Sequence, residues 1–93
     1  MATPHVPTYT ILTLAAARRQ IKRLQKTHNS NLKNIFSAIM SLAGNPRPAR
    51  SKKLANRAEL RIRVGDYRIV YLIDDIRRTV TICAIAHRRE VYR

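Results

Sequence analysis

Ninety-three residues, 45% of them apolar, are enough for one hydrophobic core and too few for two, so residues 1–93 are expected to form a single domain. Nineteen Lys and Arg against five Asp and Glu give a net charge of +14, while the apolar content excludes a disordered basic tail. A folded body with a basic surface attracts polyanions: nucleic acid, an anionic membrane or an acidic protein.

Apolar runs fall well short of the roughly 18 residues that span a bilayer, and the first residues lack the charged start and apolar run of a signal peptide. A cytoplasmic protein without a membrane partner is expected. The single cysteine, Cys83, admits no internal disulfide, and three scattered histidines suggest no structural metal. Cys83 lies in an apolar stretch and reads as a buried small hydrophobe rather than a reactive thiol.

Residues 1–8, with Pro4 and Pro7, read as a short flexible lead-in. Tyr9 to Leu12 fits a strand. From Thr13, a candidate N-cap, apolar residues at Leu14, Ala17, Ile21 and Leu24 predict a helix whose other faces carry Arg18, Arg19, Lys22, Arg23 and Lys26. Thr27 to Ser30 interrupts the pattern, and Leu32, Ile35, Phe36, Ile39, Met40 and Ala43 predict a second helix. Gly44 and Asn45-Pro46 end it, since proline has no backbone donor and disfavours helix in the residue before it. The two helices are expected to form a hairpin.

Arg47, Arg50, Lys52 and Lys53 make a basic connector, and then the period changes to two. Leu60, Ile62 and Val64 alternate with Arg61 and Arg63, as on a half-buried strand. Gly65-Asp66 suits a tight hairpin turn, Tyr67 to Ile73 reads as a central strand, Asp74-Asp75 opens a second turn, and Thr79 to Ala86 is a third strand. The expected fold is α+β: two N-terminal helices packed on one face of an antiparallel β-sheet, leaving the other face for function.

Charge position narrows the chemistry. Up to Glu59 eleven Lys and Arg accompany one acid, whereas from residue 61 onward there are eight Arg, no Lys and four acids. Arginine presents a planar fork of donors that matches phosphate oxygens, so Arg61, Arg63 and Arg68 on one sheet face would form a phosphate-binding floor. The run His87-Arg88-Arg89-Glu90-Val91-Tyr92-Arg93 adds an acid/base candidate, fixed positive charge and a stacking ring.

These blocks together closely resemble the RelE family of bacterial toxins: Asn45-Pro46-Arg47-Pro48, Lys53-Leu54, Leu60 to Tyr71, and His87-Arg88-Arg89-Glu90-Val91-Tyr92. The resemblance spans the chain from about Tyr9. It implies two helices against an antiparallel sheet, and a toxin that enters the A site of the 30S ribosomal subunit and cuts mRNA there by attack of a ribose 2′-hydroxyl. It also implies no metal or organic cofactor, and inhibition by a wrapping antitoxin of RelB type. Residue by residue, the resemblance places Arg61, Arg63 and Arg68 at the scissile phosphate. Arg88 falls at the departing 5′-oxygen and Tyr92 against the nucleotide. Lys22, Arg47, Arg50, Lys52 and Lys53 are the expected contacts to ribosome and RNA.

In some members the two strand positions are lysines, one proposed as general base, whereas here both are arginine, whose pKa exceeds about 12. The base is therefore expected elsewhere, first at His87 and then at Glu59 or Glu90. Two other readings share the sequence: a toxin of the same superfold that poisons DNA gyrase, and a basic nucleic-acid-binding module without catalysis. The free toxin is expected to be a monomer, since +14 on a small body opposes self-association, and a hetero-oligomer with its antitoxin.

Overall fold

Alternation of apolar and charged side chains becomes strand in the computed structural model, which describes residues 8–87. The elements in order are β1 (Thr10–Thr13), α1 (Ala15–Lys26), α2 (Leu32–Gly44), β2 (Lys52–Lys53), β3 (Leu60–Val64), β4 (Tyr67–Asp74) and β5 (Thr79–His87). All five strands form one sheet in the order β1-β5-β4-β3-β2. Strands β3, β4 and β5 pair antiparallel, as expected, and Lys52–Lys53, read from the sequence as part of a basic connector, adds a short antiparallel strand β2 on β3. The lead-in, apart from an exposed Thr8, lies outside the described residues, as do Arg88, Glu90 and Tyr92.

The first strand departs from a purely antiparallel sheet. β1 lies parallel to β5, with Thr10 opposite Thr79 and Thr13 opposite Ile82, so the sheet is mixed. This pairing joins segments about seventy residues apart, a long-range contact that local propensity does not encode. It also explains why Thr13 is not the helix cap. The chain stays extended through Leu14, whose N–H donates to the Ile82 carbonyl (3.0 Å), and α1 starts one residue later without a side-chain cap.

The two helices cover one sheet face. Ala17 and Leu24 of α1 and Ile35, Ala38, Ile39 and Leu42 of α2 are buried against Ile62, Val64, Ile69, Tyr71, Val80, Ile82 and Ile85. Each fully buried Ile or Leu here contributes about 1.5–3 kcal/mol relative to an exposed one. Two members of the apolar set expected for α2 are not core: Phe36 is 39% and Met40 66% exposed. The buried stripe runs through Ile35, Ala38, Ile39 and Leu42, which turns Phe36 and Met40 outward. Gly44 is the last helical residue rather than the stop, and Asn45 ends α2 in an extended conformation.

Two devices fix the connections. Tyr71 is fully buried, and its hydroxyl donates to the Pro46 carbonyl at 2.8 Å, which satisfies the one polar atom of that ring and pins the loop after α2. At the β3–β4 turn Gly65 has φ +60°, the left-handed conformation expected of the first residue in a Gly-led hairpin turn. A Cβ there would sit 2.8 Å from Asn31 Oδ1, so an added side chain would also have to displace the Asn31 carboxamide at the start of α2.

Candidate functional site

Directly opposed residues on neighbouring strands share a sheet face, with Cβ atoms about 4.5–5.5 Å apart. In one row Lys52 opposes Arg61, Arg61 opposes Val70, and Val70 opposes Ala84. In the next, Arg63 opposes Arg68 and Arg68 opposes Ala86. Arg61, Arg63, Arg68 and Lys52 therefore stand together on the face away from the helices. The alanines of β5 keep the floor beside them low. Two arginines in direct opposition run against ordinary sheet pairing, where like charges repel. Arg63 is exposed while Arg68 is only 7% exposed, and both line a small cleft of about 110 Å³ with Gly65, Asp66 and Tyr67.

His87 stands on the other side of the sheet. It opposes Tyr67, meets that ring edge-on with centroids 5.3 Å apart, and lines a cleft of about 90 Å³ with Gln20, Arg23 and Leu24 of α1. The cause is a β-bulge. Val70 pairs with Ala84 and Tyr71 with Ile82, leaving Cys83 as the extra residue. Val80 and Ile82 face the core before it, and Ile85 after it, so the parity of β5 changes by one and His87 follows Ile85 to the helix side. The bulge also leaves Cys83 half-buried, with its thiol pushed up in pKa first by burial and then by the negative charge of Glu59. Glu59 precedes Leu60, so strand alternation places it on the arginine side.

The other expected contacts are dispersed. Lys22 is an exposed residue of α1, on the helix side, and Lys53 opposes Leu60 in a helix-side row. Arg50 joins the arginine edge, where its guanidinium donates to the Arg63 carbonyl at 3.4 Å. Arg47 is held elsewhere. It grips Asp75 with two hydrogen bonds of 2.9 and 3.2 Å, and the Tyr9 hydroxyl donates to the same carboxylate at 2.6 Å. Hydrogen bonding from Arg47, then from Tyr9, lowers the Asp75 pKa to about 2. The Arg78 guanidinium lies 5.5 Å over the Tyr9 ring. This clamp joins β1, the loop after α2 and the β4–β5 turn, and nothing in the sequence pattern marks Asp75 as its centre.

Sequence pattern also passed over Gln20, whose Oε1 accepts the Ile85 N–H at 2.6 Å where β1 no longer reaches along β5. Asn29 likewise donates to the Tyr67 hydroxyl at 3.1 Å. Both are polar residues in or beside basic helices, where composition reads them as solvated. Among the described residues no group of histidine, cysteine and acidic side chains is placed to hold a metal ion. None of the described helices is long and apolar enough to cross a membrane.

Residues 11–92 match the family model of the ParE toxin of the type II toxin–antitoxin system parDE. The chain belongs to the ParE toxin family, within the RelE/ParE superfamily. This ParE-family toxin is similar to the toxin–antitoxin complex RelBE2 of Mycobacterium tuberculosis, at 27% identity over 86% of this chain and 98% of that one, with a TM-score of 0.62. The archaeal RelE–RelB complex of Pyrococcus horikoshii matches at 22% identity over 87% and 96% of the two chains, TM-score 0.72. The YoeB/ParE toxin of Agrobacterium tumefaciens matches at 12% identity over 84% and 96%, TM-score 0.75. Curated protein sequences contain no significant match. The toxin–antitoxin likeness and the two-helix α+β fold thus agree with the expectation drawn from the motif blocks.

Proposed function

We propose that this type II toxin is a metal-independent endoribonuclease that cuts mRNA in the ribosomal A site. The observation that carries the reading is the pairing of Arg63 with Arg68 beside Arg61 and Lys52 on the helix-free face. Such a cluster neutralises a phosphodiester and the further charge it gains as a 2′-oxygen adds to phosphorus. In the step itself the 2′-oxygen forms a bond to phosphorus, and the bond from phosphorus to the 5′-oxygen breaks. The 2′-hydroxyl gives its proton to a base, and the 5′-oxygen takes one up. A 2′,3′-cyclic phosphate and a 5′-hydroxyl remain.

Arginine does not serve as that base. His87 faces the helices, so Glu59, on the arginine side by strand alternation, becomes the first choice of proton acceptor. Arg88 at the leaving oxygen and Tyr92 against the nucleotide complete the set that the family resemblance implies. Lys52 and Arg50 extend the positive edge toward flanking RNA or ribosomal RNA.

A monomeric toxin of net charge +14 calls for an acidic, partly helical antitoxin that orders on contact, covering the arginine floor or displacing the C-terminal run. Relatives in M. tuberculosis and P. horikoshii are named as the toxin–antitoxin complex RelBE2 and the RelE–RelB complex. A second reading, the gyrase-poisoning toxin of the same superfold, has a specific observation behind it: the matching family model is that of the ParE toxin of parDE and not of RelE.

The test is purified toxin with a defined messenger, with and without programmed ribosomes, in chelator, mapping cut positions and end chemistry. Ribosome-dependent A-site cuts with 5′-hydroxyl ends are expected. Intact messenger, with inhibition of gyrase-catalysed supercoiling, would transfer the chain to the second reading.

A further inference from the structure

The arginine floor does not stop at the edge of the sheet. A groove of about 520 Å³ runs between α2 and β3, and Arg63 and Gly65 line both this groove and the small cleft that holds Arg68. The two depressions thus adjoin each other at Arg63 and Gly65. One wall of the groove carries Arg50 and Arg63. The other is a stripe of Asn34, Ser37 and Ser41, spaced i, i+3 and i+7 on one side of α2 and exposed. No carboxylate lines it, and its size is that of a small-ligand site.

We infer that this groove is a subsite for single-stranded RNA flanking the scissile phosphate, with Asn34, Ser37 and Ser41 as its reading wall. The inference rests on the proposed ribonuclease activity for its place in the reaction, but on the groove itself for RNA binding. Hydroxyl and carboxamide groups opposite two guanidinium groups suit a ribose-phosphate strand: the arginines take phosphate oxygens, and the α2 stripe exchanges hydrogen bonds with ribose hydroxyls or base edges. The Ser41 hydroxyl donates to the Ala38 carbonyl at 2.7 Å, which leaves its oxygen lone pairs as acceptors. An acidic peptide is a poorer occupant, because a peptide needs an apolar anchor and this wall exposes none. The exposed Phe36 and Met40 of α2 do not line the groove.

The experiment measures binding of fluorescent RNA octamers in the absence of ribosomes, where the proposed activity leaves them intact, alongside the ribosomal cleavage assay. Four proteins are compared: wild type, Ser37→Glu with Ser41→Glu, Ser37→Lys, and Ala16→Glu with Gln25→Glu. The last pair makes the same charge change on exposed positions of α1. The groove pair is expected to weaken octamer binding about tenfold or more, Ser37→Lys to strengthen it, and the α1 pair to cost under about threefold. Equal losses for the two glutamate pairs, or changes within twofold throughout, would overturn the inference even where cleavage persists. So would a groove pair that loses binding to polyglutamate while keeping RNA. Octamer binding that responds as expected in a protein that does not cut on ribosomes leaves the groove standing and removes the ribonuclease reading.

Discussion

Arg63 and Arg68 face each other across β3 and β4 but differ in surroundings, and under the proposed cleavage the difference has a kinetic consequence. A guanidinium about 4 Å from a phosphate oxygen stabilises one added unit of negative charge by ~4 kcal/mol at an effective dielectric constant of ~20, and by ~1 kcal/mol in bulk water. Arg68, 7% exposed, lies near the first limit, and the exposed Arg63 lies between the two. At 1.36 kcal/mol per decade, Arg68→Met is expected to slow single-turnover cleavage about 10³-fold and Arg63→Met about 10- to 10²-fold. Methionine keeps most of the side-chain volume, so circular dichroism and the unfolding midpoint should confirm a folded protein. Under the proposed cleavage both groups would act on one phosphate, so the double variant is expected to lose less than the product of the single losses. The assay is quenched-flow cleavage on ribosomes programmed with a short messenger. An Arg68→Met protein that is folded and within threefold of wild type, or an Arg63 effect exceeding that of Arg68, would refute a phosphate held between the two.

Gly65→Ala combines a left-handed φ with a Cβ 2.8 Å from the Asn31 side chain, an end that can swing away, so a loss of about 1–2 kcal/mol is expected, read as a lowered midpoint in urea. Tyr71→Phe leaves the Pro46 carbonyl without its 2.8 Å donor and is expected to cost about 1–2 kcal/mol by the same measurement, with little change in circular dichroism. The Asp75 carboxyl, held at about 2 against 3.8 for an unperturbed group, favours the folded state above pH 4, and that contribution fades as pH falls from about 4 to about 2. Asp75→Asn should therefore flatten the acid limb of the stability profile, most visibly at low salt because Arg47 and Asp75 are both exposed, and leave the slope above pH 5 unchanged.

What sequence pattern conveys here follows the range of the interactions involved. Strand β3 is legible because Ile62 and Val64 alternate with Arg61 and Arg63, β4 because Tyr67 to Ile73 is rich in β-branched and aromatic residues, and Gly65-Asp66 names its own turn. The arginine floor follows from that alternation plus a two-residue turn, since the turn length fixes Arg63 opposite Arg68. The parallel pairing of β1 with β5 is not legible, because it depends on where the helix pair returns the chain. Nor is the Arg47–Asp75 bridge, 28 residues apart, whose partners look like ordinary loop charges.

His87 illustrates how one residue changes a site. Strict alternation from Val80 and Ile82 would put odd-numbered positions of β5, His87 included, on the arginine face, which is where a general base belongs. The extra residue at Cys83 reverses that parity, and a buried Ile85 testifies to it. Histidine then meets Tyr67 beside Arg23, separated from the arginine floor by the sheet itself. If the base is on the arginine side, Glu59→Gln should reduce the cleavage rate by about 10²-fold or more, whereas His87→Ala should preserve it. A His87→Ala protein that is folded, binds ribosomes and fails to cut would place the reacting 2′-hydroxyl on the helix side and move the site away from the arginine floor.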